Sequence, residues 1–253
     1  MNGHAQDIDR RWFKRFGRTD NTAHVRLLCF HHAGGSASAY RQWRRLMPPS
    51  IEPVGVQLPG RADRFNERTH DRMGPLVDDL LDAIKPLLDR RFACYGVSMG
   101  ARVAWAVAHA LRERAMPVPV RLYLASNPGP ATDDGTWPWE DRSDGLEGYL
   151  HEMGGTPPEV LEQPELLQAL LPTLRADLDV LTTHNFHPAV PLDMPIRAFA
   201  GVDDPIGSPE RMDFWRAETT ADFALYRLPG GHFHDAEAEA QVVKAITADL
   251  AYT

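Results

Sequence analysis

The chain has 253 residues, 43% of them hydrophobic and 25% charged, with a formal net charge of −8. That length is enough for one large α/β unit with a sizeable core, and the composition excludes a mainly disordered chain. The acidic balance argues against nucleic acid as a partner, and no apolar run approaches the ~20 residues that span a bilayer. Residues 1–18 are polar and contain arginine, without the apolar stretch of a secretion signal, so a cytoplasmic protein is expected. Cys29 and Cys94 are the two cysteines. They offer neither a disulfide framework nor zinc-ligand spacing, and both sit in apolar runs that suit a buried small hydrophobe. No metal and no cofactor are expected, and a monomer is.

Apolar, β-rich runs alternate with helical patterns, which predicts parallel βαβ units and a mostly parallel sheet flanked by helices. Val25–Phe30 reads as a buried strand, followed by the small-residue loop His31-His-Ala-Gly-Gly-Ser36. A helix over 40–47 stops at Pro48 and Pro49. A second strand over 51–58 breaks at Pro59-Gly60. Residues 73–88 place Leu76, Val77, Leu80, Leu81, Ile84, Leu87 and Leu88 at helical spacing. Phe92–Val97 is a third strand, 101–114 a helix and 120–126 a fourth strand. Two more strands are predicted over 196–200 and 223–228, and a closing helix over 236–251. The stretch 127–194 breaks the alternation. Its first part, 127–145, is rich in Pro, Gly and Asp, and two helical patterns follow over 146–153 and 164–182. We read it as a helical lid inserted into a single domain spanning 1–253, hinged at 127–145.

Gly96-Val97-Ser98-Met99-Gly100 has the pattern G-x-S-x-G directly after a strand and directly before a helix, the context of a nucleophile elbow in an α/β-hydrolase fold. Ser98 must sit on a strained turn to project its hydroxyl above the sheet. Side chains two residues to either side would collide with neighbouring backbone, which calls for glycine there. A serine hydroxyl needs a base, and in this fold the order is Ser, then Asp or Glu, then His. His232 follows the last strand through Leu228-Pro-Gly-Gly and is favoured as the base; His234 is its rival. His184 and His187 fall in the insertion and read as polar lid residues. The acid belongs after another strand, where Gly201-Val-Asp203-Asp204-Pro205 offers two aspartates. The Gly-x-x-Asp spacing favours Asp204, leaving Asp203 as a loop residue. The Met99 amide and the loop after the first core strand, 31–35, are the candidate oxyanion donors.

Beyond the elbow, the chain from about Leu27 onward resembles the type II thioesterases of polyketide synthase and nonribosomal peptide synthetase pathways. The stretches that carry the resemblance are Phe30-His-His-Ala-Gly-Gly-Ser36, Val56-Gln-Leu-Pro-Gly-Arg61, Tyr95-Gly-Val-Ser-Met-Gly-Ala101, Leu171-Pro-Thr-Leu-Arg-Ala-Asp177, Gly201-Val-Asp-Asp-Pro205 and Leu228-Pro-Gly-Gly-His-Phe233. The resemblance implies Ser98 as nucleophile, His232 as base, Asp204 as its orienter, and Ala33 and Met99 as backbone oxyanion donors. It also implies the reaction: hydrolysis of stalled or aberrant acyl groups from the phosphopantetheine arm of acyl or peptidyl carrier proteins in antibiotic-type biosynthesis. The same residues suit a small-molecule carboxylesterase, and a non-catalytic acyl-binding protein would not need them all. Carrier proteins are usually acidic, so docking to a chain of net charge −8 calls for a local basic patch. Arg61, Arg64, Arg68 and Arg72 are the candidates for it, and Leu174 and Leu178 are candidates to line an acyl chamber.

Overall fold

The computed structural model describes residues 10–17, 23–132, 139, 142–156, 158–183 and 190–251. Seven strands form one sheet in the order β1-β3-β2-β4-β5-β6-β7. They are β1 (Phe13–Arg15), β2 (Val25–Phe30), β3 (Ile51–Val56), β4 (Phe92–Val97), β5 (Leu122–Ala125), β6 (Ile196–Gly201) and β7 (Phe223–Leu228). From β3 to β7 every neighbouring pair is parallel. β1 alone runs antiparallel, pairing Phe13 with Val56 and Arg15 with Val54 at the edge. The sequence patterns do not predict β1. It is three residues long and two of them are Lys14 and Arg15, the kind of charged side chains that protect an edge.

The longer helices are α1 (Met73–Ile84), α2 (Met99–Glu113), α3 (Gly145–Met153), α4 (Pro164–Thr182) and α5 (Ala236–Leu250). The segment expected as a helix over 40–47 is instead a 3-10 turn, Ala37–Tyr40, and a single helical turn, Trp43–Leu46. Along β2, Leu28 and Phe30 face the core under α1 and α2, while Val25, Leu27 and Cys29 face the opposite core with Trp43 and α5. Successive strand side chains point to opposite faces. Both faces being covered explains why the strand reads as apolar from Leu27 to Phe30 without alternation. α1 buries Leu76, Val77, Leu80, Leu81 and Ile84 of the predicted stripe, and Met73 besides. It ends at Ile84, short of the expected 88, because Pro86 interrupts it, and Leu87 is buried from a 3-10 turn, Lys85–Leu87. α5 starts at Asp235, whose side chain accepts the Ala238 amide at 2.9 Å and so satisfies one of the free donors at the helix start.

In the described part of 127–194, the only sheet pairing is a single bridge from Leu192 to Thr219. α3 and α4 pack together there through Leu146, Leu150, Leu167, Leu174 and Leu178, a cluster distinct from the two cores. The chain passes from β2 outward to β3 and then returns to β4 on the other side of β2. The carboxyl ends of β2 and β4 therefore diverge at a switch point, which is where an open α/β sheet leaves a crevice. No helix among the described residues is long and apolar enough to cross a membrane.

Candidate active site

Ser98 is the single residue between β4 and α2, with φ 54° and ψ −122°. Such a conformation costs a non-glycine residue about 1–3 kcal/mol and persists only when its surroundings impose it. They do here. The Ser98 amide donates to the Ala125 carbonyl at 2.8 Å, tying the turn to β5. A Cβ at position 96 would lie 2.2 Å from the Gly100 carbonyl oxygen, and one at position 100 would lie 2.2 Å from the Phe30 carbonyl oxygen. The two glycines are thus a packing requirement: strand, turn and helix approach each other closer than any side chain allows.

The loop after β7 brings His232 over the sheet, and its Nε2 lies 3.0 Å from Ser98 Oγ. Its Nδ1 lies 3.1 Å from both carboxylate oxygens of Asp204. Asp204 Oδ1 also accepts the Ile206 amide at 2.8 Å. His232 and Asp204 are both buried. Burial pushes the Asp204 carboxyl up, but hydrogen bonds from His232 and from the Ile206 and Gly207 amides outweigh it and hold the group below the usual carboxylate range. The rival aspartate, Asp203, is exposed, and its backbone amide donates to the Gly230 carbonyl at 2.9 Å. The rival histidine, His234, bonds elsewhere: its Nε2 lies 3.3 Å from Ser126 Oγ, just after β5. Burial, and then the nearby His232, lower His234 to about 4. His184 and His187 lie outside the described residues.

Ala33 lines the cavity above Ser98, and Met99 opens α2 immediately after it. Among the described residues, neither the Ala33 nor the Met99 amide donates to another protein group. Gly34, at φ +74°, has its amide taken by Asp177 Oδ2 at 2.7 Å, and the Gly35 amide closes a turn onto the His32 carbonyl at 3.0 Å. His32 stands beside this turn with its ring edge-on to Phe233. Burial first, then the neighbouring His232 and Arg61, lower it to about 4, so it is neutral at ordinary pH.

A cavity of about 1060 Å³ opens over Ser98 and His232, walled by the 33–36 loop on one side and by α3 and α4 on the other. Leu174 and Leu178 line it, as the sequence reading expects. The proposed basic patch fares differently. Arg61 is buried, its guanidinium paired with Asp177 through two bonds of 2.6 and 2.7 Å. Arg64 is buried too, stacked 4.1 Å over the Trp12 ring and bound to Glu67. Arg68 and Arg72 are the two exposed members. The motifs around Arg61 and Asp177 were visible in the sequence, but not that these residues are each other's partner. A lone aspartate on an otherwise apolar helix face was the available signal, because a buried carboxylate requires a partner.

The model of the thioesterase domain family matches residues 25–250. Among characterised proteins, the chain is 30% identical to the gramicidin S biosynthesis protein GrsT of Aneurinibacillus migulanus, over 95% of this chain and 94% of that one. Among solved structures, it is similar to RedJ, a thioesterase from the prodiginine biosynthetic pathway in Streptomyces coelicolor. That match has a TM-score of 0.85 and 34% identity, covering 90% of this chain and 91% of the other. It is also similar to BorB, the type II thioesterase from the borrelidin biosynthetic cluster, with a TM-score of 0.82 and 28% identity over 95% and 96% of the two chains. With the family model running from β2 through α5, and with an elbow serine, histidine and aspartate in hydrogen-bonding order beneath an apolar cavity, this chain belongs to the thioesterase domain family of the α/β-hydrolase fold.

Proposed function

We propose that this protein is an editing thioesterase that removes aberrant or stalled acyl groups from the phosphopantetheine arm of acyl or peptidyl carrier proteins in antibiotic-type biosynthesis. The observation that carries the reading is the contact of His232 Nε2 with Ser98 Oγ at 3.0 Å, at the base of a 1060 Å³ chamber with leucine-rich walls. In this reading Ser98 Oγ attacks the thioester carbonyl while His232 Nε2 takes its proton. Asp204 holds the imidazole in the tautomer that leaves Nε2 free to accept, and stabilises the imidazolium. The Ala33 and Met99 amides receive the charge that develops on the carbonyl oxygen. Collapse of the tetrahedral species breaks the C–S bond, and His232 returns the proton to the departing pantetheine sulfur. Water, deprotonated by the same histidine, then attacks the acyl-serine; the acid leaves and Ser98 Oγ recovers its proton. Every group required is a side chain, an amide, water or the substrate's own arm, so the reaction as proposed uses no cofactor. We place it in the cytoplasm, where the free, buried Cys29 and Cys94 thiols suit a reducing compartment.

The relatives named above are thioesterases and biosynthesis proteins, which favours a carrier-bound thioester over a simple oxygen ester. The test compares wild-type protein and Ser98→Ala on acyl-carrier-protein thioesters and on matched oxygen esters. Alanine keeps the backbone and removes only the hydroxyl, so the variant is expected to fold normally and lose about 10⁴-fold or more in turnover. Retention of most activity by a folded Ser98→Ala protein overturns the nucleophile. A wild-type preference for the oxygen esters overturns the substrate class.

A further inference from the structure

The salt bridge between Arg61 and Asp177 lies against the loop that presents the Ala33 amide, and nothing in the chemistry above uses it. Asp177 comes from the inward face of α4 and is 1% exposed. One of its oxygens accepts two donors at once, the Gly34 amide at 2.7 Å and Arg61 Nη1 at 2.6 Å, and the other accepts Arg61 Nη2 at 2.7 Å. Arg61 continues the network: its Nη1 donates to the Gly35 carbonyl at 3.3 Å and its Nε to the Pro59 carbonyl at 3.1 Å. One turn earlier on α4, the Thr173 hydroxyl donates to the Gly60 carbonyl at 2.9 Å. The 33–36 loop, the Pro59–Arg61 turn and the chamber helix are therefore bound together at a buried point on the wall of the cavity that Ser98 also lines. Gly34 is at a positive φ, and a Cβ there would meet Leu174 of α4 at 3.5 Å, so loop and helix are also in direct packing contact.

We propose that Asp177 and Arg61 are positioning residues for the oxyanion hole. Asp177 captures the Gly34 amide and so sets the orientation of the preceding residue, whose own amide is left to face the substrate. Arg61 is needed because a buried carboxylate beside a developing oxyanion would repel it. The bidentate guanidinium cancels that charge while leaving the carboxylate free to hold the loop. On this proposal α4 is tied to the catalytic loop at this end. The placement of its second half is then part of the catalytic geometry. This inference rests on the thioesterase reading.

The experiment uses Asp177→Ala, Asp177→Asn and Arg61→Lys with an acyl thioester of N-acetylcysteamine. Asp177→Ala is expected to lower kcat at least tenfold, toward the ~10²–10³ cost of losing one oxyanion donor, with KM changed less than threefold. Asp177→Asn retains an acceptor for the Gly34 amide and is expected to fall between Asp177→Ala and wild type. Arg61→Lys loses the planar fork and is expected to fall there too. Two inhibitors separate positioning from general loosening. An acyl trifluoromethyl ketone forms a tetrahedral oxyanion with Ser98, whereas the matching thioether only occupies the chamber. In the variants the ketone is expected to weaken by the same factor as kcat and the thioether to stay within threefold. Equal weakening of both inhibitors, or a kcat within twofold of wild type in Asp177→Ala, overturns the inference. If Asp177→Ala does not fold, the apolar pair Arg61→Met with Asp177→Leu removes both charges together and is read the same way. Failure of the thioesterase reading shows separately, as absent turnover by wild type, and the inhibitor ratios still decide the role of Asp177.

Discussion

Asp204→Asn is the most searching test of the proposed triad, because the structure dictates how the amide must sit. The carboxylate accepts from Ile206 N–H through Oδ1, from His232 Nδ1 through both oxygens, and also gains from the Gly207 amide. All of these neighbours are donors, so an asparagine cannot satisfy them all. With its oxygen toward Ile206, its NH₂ group points at His232 Nδ1. The imidazole then has to carry its proton on Nε2, facing Ser98 Oγ as a donor instead of an acceptor. Loss of the base in this way costs about 10⁴-fold, or about 5 kcal/mol of transition-state stabilisation. The alternative flip sets the NH₂ group against a backbone amide. One unsatisfied buried donor costs about 1–3 kcal/mol of stability, which lowers the melting temperature by about 2–4 °C for each kcal/mol in a domain of this size. The assay is kcat/KM on an acetyl thioester together with the rate of Ser98 labelling by a fluorophosphonate, each with a melting curve. Both rates are expected to fall together. Asp203→Asn is the control: that side chain is exposed and is expected to stay within threefold of wild type. Activity of Asp204→Asn within tenfold of wild type, or a larger loss in Asp203→Asn, refutes the reasoning.

Three further outcomes are expected. Leu178→Trp fills the chamber from its α4 wall, so kcat/KM on a ladder of acyl thioesters should collapse for long chains and hold for acetyl and propionyl; a uniform loss with a lower melting temperature would mean that Leu178 only packs. Gly100→Ala places a Cβ 2.2 Å from the Phe30 carbonyl oxygen, which is expected to cost about 1–3 kcal/mol or more by overpacking and to slow Ser98 labelling, measured by denaturant melts and by the labelling rate. Stability should also fall with acidification. Burial holds His32 and His234 at about 4 against an ordinary 6.5, so between those values the unfolded chain binds protons that the folded one does not. Folding stability therefore rises with pH across this window, and His234→Gln should flatten the slope of melting temperature against pH.

The parallel strands were legible because most are buried on both faces and read as largely apolar runs bounded by turn residues, with single charged residues such as Arg26, Glu52 and Arg197 near their starts; β7, half-exposed and carrying Arg227, shows the pattern least. β1 was not, because a three-residue edge strand with two basic side chains has no pattern of its own; only its pairing with β3 defines it. The elbow was legible from its glycines, since their spacing records how closely α2 approaches β4 at position 96 and the Phe30 backbone approaches α2 at position 100. The choice between Asp203 and Asp204 turned on one step of loop register, which the Gly-x-x-Asp spacing carries. The arginines misled because local density along the chain suggests a surface patch. Arg61 and Arg64 instead turn inward to Asp177, 116 residues away, and to Trp12 and Glu67. Long-range pairing of charges leaves no periodic trace in a sequence.

α4 contains a proline in its interior, Pro172, which has no amide to donate to the Gln168 carbonyl. The helical ladder is thus interrupted just before Thr173, where its attachment to the 59–61 turn begins. On the far side of that break lie Leu166, 47% exposed at the cavity, and Leu170, also on its wall. The chamber wall therefore runs through both halves of one helix, with Leu166 and Leu170 before the break and Leu174 and Leu178 after it. Leu170 before the break and Leu174 after it would both meet a Cβ on Gly34, at 3.9 and 3.5 Å, so α4 faces the 33–36 loop on both sides of Pro172. A residue exchanged on this helix to redraw the chamber therefore stands on the same scaffold that holds the loop presenting the Ala33 amide.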